Sequence, residues 1–180
     1  VEATISEKKA HYAHAKINRI LQKAHYRRPS PSPIEEQLGH PFFGIEYEKQ
    51  LTFKLDLLTE ALWKYAKVKR RWVRKINPSE NEFSYRNQCK LPIQERQGKL
   101  VCGLFSPNSN QFQVVHHFLT HDPEVERIRK ELLAILNQHH FPAYSHKTKQ
   151  GLRYIVIRCI HGISQATLIT GKDTLNKCLI

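Results

Sequence analysis

The sequence predicts an α+β protein with a largely antiparallel sheet and two main helices, preceded by an N-terminal linker segment. Three observations lead to this class. Apolar residues with a helical period over residues 46–66 give way beyond Pro78 to an alternation of period two. A second helical pattern follows Asp122, and two strand-like runs with a tight-turn signal come after it. The order helix, three strands, helix and hairpin is typical of α+β folds.

Residues 1–45 are predicted to be a segment separate from the main domain, residues 46–180. Three prolines within residues 29–33 disfavour a helix and favour an extended linker. Glycines and a further proline continue the irregular chain to about residue 45. Glu35 and Glu36 are expected to lie in this loop and to be solvated.

The first helix is predicted over residues 46–66, because leucines recur there at steps of three and four. The leucines with this spacing are Leu51, Leu55, Leu58 and Leu62. A strongly basic stretch follows directly, at the end of the helix where the macrodipole favours cations.

The remaining elements follow from shorter patterns. The alternation that predicts the first strand runs through Phe83, Tyr85, Asn87, Cys89 and Leu91. Residues 99–105 and 111–118 are two further strand candidates, separated by a turn-rich quartet. Asp122 offers a helix N-cap and Pro123 a first helical residue. The final strands are predicted at residues 152–160 and 163–170, joined by the turn His161-Gly162.

The charge balance predicts a polyanionic partner. The 180 residues include 29 Lys and Arg against 16 Asp and Glu, a net charge of +13, so nucleic acid is the leading partner class. No apolar run reaches the roughly 18–20 residues of a bilayer span, and no charged-then-apolar leader is present. We therefore predict neither a membrane nor a secreted protein.

Residues 67–75 concentrate this charge, with six basic residues in nine and no acid. Such a stretch neutralises phosphates and makes affinity depend on salt. Trp72 in its middle can stack on an unpaired base, or it can turn into the core together with Val73 while the cations form a solvated helix end. The predicted RNA-binding residues here are Lys67, Lys69, Arg70, Arg71, Trp72, Arg74 and Lys75.

Two later stretches add candidate RNA contacts on predicted strands. Arg86 and Asn87 follow Tyr85, and Arg153 and Arg158 lie at odd spacing, so they are expected to face opposite sides. Arginine and asparagine on a sheet can hold a phosphate or a base edge. The alternative is an arginine whose head pairs with a carboxylate.

No catalytic, cofactor-binding or metal-binding residue is predicted in this chain. The eleven histidines include the adjacent pairs 116–117 and 139–140, and neighbours on a strand point apart. Phosphate-cradling and nucleophile motifs are absent. The four cysteines show no C-x-x-C spacing and are interpreted as reduced thiols of a cytoplasmic protein; they are Cys89, Cys102, Cys159 and Cys178.

Four stretches stand in a distinctive order. They are Tyr47-Glu48-Lys49-Gln50-Leu51-Thr52-Phe53-Lys54, Tyr85-Arg86-Asn87, Cys102-Gly103-Leu104-Phe105 and Gly151-Leu152-Arg153-Tyr154-Ile155-Val156-Ile157-Arg158. Together they resemble the RNA (uracil-5-)-methyltransferase family, and most closely its bacterial 23S ribosomal RNA branch. The resemblance covers the central domain of that family, roughly residues 45–170. Val1 to about Leu21 resembles the end of the family's small RNA-binding β-barrel.

The resemblance implies a central α+β domain that helps to hold RNA, while a C-terminal Rossmann-like domain binds S-adenosylmethionine and supplies the cysteine nucleophile. The chain stops at Ile180, where the family would enter that domain, and nothing around Cys178 matches the nucleophile motif. Many members bind a [4Fe–4S] cluster through four cysteines. Residues 37–45 and 114–122 lack them, so no iron–sulfur cluster is expected.

The sequence therefore predicts the RNA-binding central portion of an S-adenosylmethionine-dependent RNA (uracil-5-)-methyltransferase that acts on 23S ribosomal RNA, at a single-stranded or loop uridine. The alternative is a stand-alone basic RNA-binding or ribosome-associated protein derived from that family, without catalysis. A complete enzyme of unrelated chemistry is a third possibility. The chain has no methionine and begins at Val1, which indicates processing or a piece of a longer protein.

Overall fold

The computed structural model describes residues 1–107 and 109–172, which form two compact units. The first unit consists of residues 1–31 and 42–76, and the second of residues 32–41 together with those from Asn77 onward. The predicted α+β class and the antiparallel sheet are confirmed. The division at residue 45 stays a prediction. None of the described helices is both long enough and apolar enough to cross a bilayer.

The described residues contain seven strands, three α-helices and one 3-10 turn. In chain order these are β1 (Glu2–Lys8), β2 (Ala13–Arg19), α1 (Pro33–Leu38), α2 (Tyr47–Ala66), the 3-10 turn (Arg70–Trp72), β3 (Gln88–Arg96), β4 (Lys99–Phe105), β5 (Phe112–Val114), α3 (Pro123–Gln138), β6 (Leu152–Ile160) and β7 (Ile163–Thr170).

In the first unit, α2 is fixed by aromatic packing at its N-terminal half. The ring of Phe53 lies edge-on to Tyr26, with centroids 5.6 Å apart, and stacks on Phe42 at 6.3 Å. The Gln50 amide donates to the carbonyl of Phe42 at 3.2 Å and to that of Ile45 at 2.9 Å. The predicted helix is confirmed, but its leucine stripe is only partly covered, since Leu58 is exposed. The hairpin β1–β2 exposes every one of its side chains.

A short helix interrupts the predicted linker. Residues 33–38 form α1, so the expectation of irregular chain to residue 45 is wrong there. Pro33 suits the first helical turn, where its missing N–H has no intrahelical partner to lose. Glu35 is completely buried, and its Oε2 accepts a hydrogen bond from the backbone N–H of Leu119 at 3.0 Å. The prediction of a solvated Glu35 is therefore wrong as well.

The second unit is built on a five-stranded antiparallel sheet with the order β5-β4-β3-β6-β7. The strands predicted at residues 99–105, 152–160 and 163–170 are confirmed, whereas the one predicted at residues 111–118 shrinks to β5. Tyr85-Arg86-Asn87 precedes β3 instead of lying on it. Arg86 forms an isolated parallel bridge with His121. The regular β3–β6 ladder begins only at Gln88.

Helix α3 covers one face of this sheet. Asp122 caps it by accepting from the backbone N–H of Glu124 at 2.8 Å, and Pro123 occupies the first turn, so both predicted start signals are confirmed. The side chains between helix and sheet are apolar and almost fully buried: Cys89, Leu91, Ile93, Leu100, Cys102, Val115, Phe118, Val125, Leu136, Leu152, Ile155 and Ile157.

An ionic network lies inside this core. Glu126 and Arg129 are 4% and 3% exposed, and their Oε2 and Nη2 atoms lie 2.8 Å apart. His121 Nδ1 lies 2.9 Å from Glu126 Oε1, and Arg129 also donates to the sulfur of Cys102 at 3.1 Å. Burial alone would raise the pKa of Glu126, but hydrogen bonds from His121 and Arg129 lower it to about 2. The network ties the start of α3 to β4.

Candidate nucleic-acid interface

The basic segment, residues 67–75, leaves α2 in a tight turn. Lys67 ends the helix in the left-handed region, at φ 55°. The backbone N–H of Trp72 then donates to the carbonyl of Lys69 at 3.0 Å, which forms the 3-10 turn. The six cations of the segment are all exposed. They are thus available to a polyanion from solvent.

Trp72 lies on the surface of the basic segment. Its side chain is 70% exposed, and the guanidinium of Arg71 lies 5.5 Å from the ring centroid. The alternative in which Trp72 turns into the core is therefore wrong, whereas Val73 is half-buried. An exposed indole beside an arginine has the composition of a base-stacking platform.

Arg70 differs from its neighbours because it is paired with a carboxylate. Its Nη2 donates to Asp56 Oδ1 at 2.9 Å. The pair borders a shallow pocket of about 480 Å³ on α2, which Trp63 also lines. Lys67 lies 5.7 Å from the centroid of that second exposed indole.

In the second unit, the sheet face opposite α3 carries polar and cationic side chains. Gln88 and Arg158 are register partners, as are Lys90 and Val156. Arg158 donates from Nε and Nη2 to Gln88 Oε1, at 2.9 and 2.7 Å. The alternative of an arginine paired with a carboxylate does not describe this contact, since the partner is a neutral amide that leaves the positive charge uncompensated.

A row of alternating cations and aromatic rings crosses the same sheet. The ammonium of Lys90 lies 4.8 Å from the centroid of the Tyr154 ring. The guanidinium of Arg153 lies 5.7 Å from that ring and 4.7 Å from the Tyr144 ring, which His146 meets edge-on at 5.2 Å. We call Lys90, Tyr154, Arg153 and Tyr144 the cation–aromatic row.

The row borders a groove of about 840 Å³. Among the residues that line it are Tyr144, Arg153 and Tyr154 together with Gln94 and Glu95. Of these, the sequence points only to Arg153. Tyr144 stands outside every strand pattern and reaches the groove because the loop before β6 pairs back on Leu152, and strand periodicity has no signal for such a contact.

Arg86 and Asn87 are anchored through their backbones and expose their side chains. The N–H of Arg86 donates to Thr120 and its carbonyl accepts from Asp122, at 2.8 and 2.9 Å. The carbonyl of Asn87 accepts from the N–H of Cys159 at 2.8 Å, which brings Asn87 beside Arg158. The structure therefore gathers Asn87 and Arg158 at one end of the β3–β6 pair.

The basic segment lies in the first unit, and the other predicted contacts lie in the second.

The described cysteines and histidines form no metal centre. Within residues 1–107 and 109–172, no group of three or more His, Cys, Asp or Glu side chains is placed to hold an ion. Cys89 is buried in the core, and burial raises its pKa to about 11, which favours the thiol over a ligating thiolate. Cys178 lies outside the described residues.

The fold and these surfaces define a basic α+β protein with an exposed sheet face rich in cations and aromatic rings. No protein-family model matches the chain. It is 32% identical over 166 residues to an uncharacterized RNA methyltransferase of Lactobacillus johnsonii. The aligned region covers 88% of this chain and 35% of that protein. A second uncharacterized RNA methyltransferase, from Bacillus anthracis, is 30% identical over 171 residues, covering 91% and 37%.

A solved structure has the same fold. The chain superposes on the Pyrococcus abyssi tRNA (uracil-54, C5)-methyltransferase, solved with S-adenosyl-L-homocysteine, with a TM-score of 0.63 at 15% identity. The match covers 97% of this chain and 39% of the other. The predicted resemblance to RNA methyltransferases is confirmed: the chain is related to a part of such proteins. It spans a little over a third of the length of the curated relatives it matches.

The described residues do not fit S-adenosylmethionine, the cofactor that the resemblance implies for the parent enzymes. The two sheets are antiparallel throughout, whereas a Rossmann-like site needs parallel strands that lead into a glycine-rich turn. We therefore derive no methyl-transfer step from these residues.

Proposed function

We propose that the chain is the RNA-binding central portion of an S-adenosylmethionine-dependent RNA (uracil-5-)-methyltransferase that modifies 23S ribosomal RNA. It holds a single-stranded or loop uridine region while the cofactor and the chemistry belong to another part of the enzyme. We place it in the cytoplasm, because the four dispersed cysteines of the sequence are typical of a reducing compartment.

The observation that carries this proposal is the similarity to two RNA methyltransferases over about nine tenths of the chain. The four ordered sequence motifs support the uracil-5 specificity. Their resemblance to the bacterial 23S ribosomal RNA branch of the family supports ribosomal RNA as the substrate. The net charge of +13 and the exposed cations of the two surfaces described above supply the electrostatics for a polyanionic substrate.

The proposed RNA-contacting residues fall into two groups. In the first unit they are Lys67, Lys69, Arg70, Arg71, Trp72, Arg74 and Lys75. In the second unit they are Arg86, Asn87, Arg153 and Arg158. The first group combines cations with an exposed indole, which suits phosphates and an unpaired base, and the second combines cations with an amide on or beside a sheet.

Binding measurements on the 180-residue chain test the proposal. We expect salt-dependent binding to protein-free fragments of 23S ribosomal RNA that contain unpaired uridines, and weaker binding to a fully paired duplex of equal length. We also expect no saturable heat of binding when the chain is titrated with S-adenosylmethionine. Saturable cofactor binding would contradict the assigned division of labour.

The same measurements separate the alternative, a ribosome-associated protein without catalysis. Such a protein would sediment with assembled ribosomes and prefer them to the protein-free RNA. A methyltransferase segment that acts before assembly would show the reverse preference.

A further inference from the structure

The groove beside Tyr154 has a lining that suits a planar group. Its volume of about 840 Å³ falls within the usual range for small-molecule sites, about 300–1,000 Å³. One part of its lining is aromatic and cationic, with Tyr144, Arg153 and Tyr154. Gln94 adds an amide and Glu95 a carboxylate to the same groove. A nucleobase is planar and carries polar edges, so its chemistry matches this combination.

Arg153 brings a planar guanidinium group to this groove. Its side chain is exposed, yet its guanidinium lies within cation–π distance of two rings, at 4.7 Å from Tyr144 and 5.7 Å from Tyr154. Two aromatic neighbours restrict the guanidinium, and a restricted guanidinium loses less freedom when a ligand binds. Unpaired bases stack on arginine planes as well as on aromatic rings.

Positive charge continues from the groove along the sheet. Residues two apart on a strand share a face and lie about 6.6–6.8 Å from each other, so Gln94 and Lys90 flank Pro92, the register partner of Tyr154, on opposite sides. Gln94 lines the groove, and Lys90 lies outside it with its ammonium against Tyr154. Arg158 lies two register positions beyond Lys90, opposite Gln88. A base in the groove would thus have the Lys90 ammonium near it for a flanking phosphate.

We propose that this groove binds one unpaired base of a single-stranded RNA. The base stacks on the Arg153 guanidinium and the Tyr144 ring, and Lys90 holds an adjacent phosphate. The inference rests on the proposed RNA-binding function and deepens it, because it adds Tyr144, Tyr154 and Lys90 to the contacts and gives the second unit a base-binding site of its own.

The test compares two strands of equal charge. The 180-residue chain is titrated with a uridine decamer and with an abasic ribose-phosphate decamer. We expect the uridine strand to bind roughly five-fold more tightly or better, since stacking of one base is worth about 1–3 kcal/mol. A 2-aminopurine placed in the uridine strand should lose fluorescence on binding, because stacking quenches it.

Three variants locate the effect. Tyr144→Leu and Arg153→Lys should reduce both the uridine preference and the quenching, whereas Tyr144→Phe, which keeps the ring, should retain them. Arg153→Lys also keeps the charge, so its salt dependence should match that of the unmodified chain. Tyr85→Leu is the matched control, since Tyr85 is an exposed ring 5.9 Å from the Arg86 guanidinium and is not among the groove residues.

The outcomes separate the two proposals. If the unmodified chain binds neither strand, the proposed RNA-binding function fails and this inference fails with it. If the chain binds RNA but Arg153→Lys keeps the full uridine preference and quenching, the groove is not the base site and only the inference fails. Displacement of the decamer by micromolar uridine monophosphate would instead indicate a site for free nucleotides. Melting temperatures of all variants show whether a loss reflects unfolding.

Discussion

Nη2 of Arg70 donates a hydrogen bond to Oδ1 of Asp56 at 2.9 Å, and this contact links the basic segment to α2. Both side chains are largely exposed, at 72% and 48%. Exposed ion pairs contribute about 0–1 kcal/mol to stability, so the pair does little to hold the segment in place. Its larger effect is on the charge of the segment, because Asp56 would compete with a phosphate of the proposed RNA ligand for the same guanidinium.

Removal of this competition should strengthen RNA binding. In Asp56→Asn the Arg70 guanidinium is freed and a nearby negative charge is lost. We expect the affinity for a uridine decamer to rise roughly two- to five-fold at low salt, the equivalent of a surface ion pair. Fluorescence anisotropy at several salt concentrations measures the change. Glu48→Gln, the same charge change two turns earlier on α2, is the control, and an equal gain in both variants would show a general charge effect only.

The salt dependence of binding should depend on the basic segment. Each phosphate contact with a single strand contributes about 0.7 to the slope of log K against log salt, so alanine at Arg70, Arg71 and Arg74 should flatten that slope by roughly 2. Loss of Arg127 and Lys130 from α3 provides the comparison, because Arg127 is already paired with Glu124 and Glu131. An unchanged slope in the triple variant would place the phosphate contacts elsewhere in the chain.

Trp72 should contribute to affinity without contributing to stability. Its exposure of 70% leaves little packing to lose, so Trp72→Ala should leave the melting temperature unchanged while it costs about 1–3 kcal/mol of binding to single-stranded RNA. Trp72→Phe should recover most of the loss. In a Trp63→Phe background the remaining indole reports the contact directly by its fluorescence. A fall in melting temperature with unchanged affinity would assign Trp72 a structural role instead.

The regular elements of this fold could be predicted from sequence because each depends on local chemistry. The leucine period of α2, the Asp122-Pro123 start of α3 and the His161-Gly162 turn act within a few residues, and all three are confirmed. The misplaced strand at residues 83–87 has a different cause. Its period-two pattern is real, but Arg86 pairs with His121, a partner from a distant part of the chain that no local pattern specifies.

The candidate site could be predicted only in part for the same reason. The charge of a segment can be counted directly from its residues, so the basic segment, residues 67–75, stands out in the sequence. The groove depends on Tyr144, which is brought to Arg153 by the pairing of the loop before β6 with Leu152. Glu35 shows the opposite error. Its polar neighbours in sequence predict a solvent-exposed side chain. In the structure the carboxylate is buried and accepts a hydrogen bond from the backbone N–H of Leu119, 84 residues away.

The buried Glu126 should make the chain sensitive to acid. The Glu126 carboxylate accepts hydrogen bonds from Arg129 and His121, and His117 Nδ1 lies 3.3 Å from its Oε2. The folded-state pKa of Glu126 is about 2, against an ordinary value of 4.5. A lowered folded pKa means that the unfolded chain takes up the proton first. The contribution of Glu126 to stability is therefore complete above about pH 4.5 and is lost as the pH falls towards 2.

Glu126→Gln removes this titration. We expect its unfolding free energy at pH 7 to be lower by about 3–5 kcal/mol, because Arg129 is left buried without its counter-charge. Between pH 4.5 and 2 its stability should fall less steeply than that of the unmodified chain, in urea unfolding followed by circular dichroism. Glu131→Gln, an exposed carboxylate of the same helix, should change stability by no more than about 1 kcal/mol. Equal acid slopes in the Glu126→Gln and unmodified chains would assign the acid response to other carboxylates.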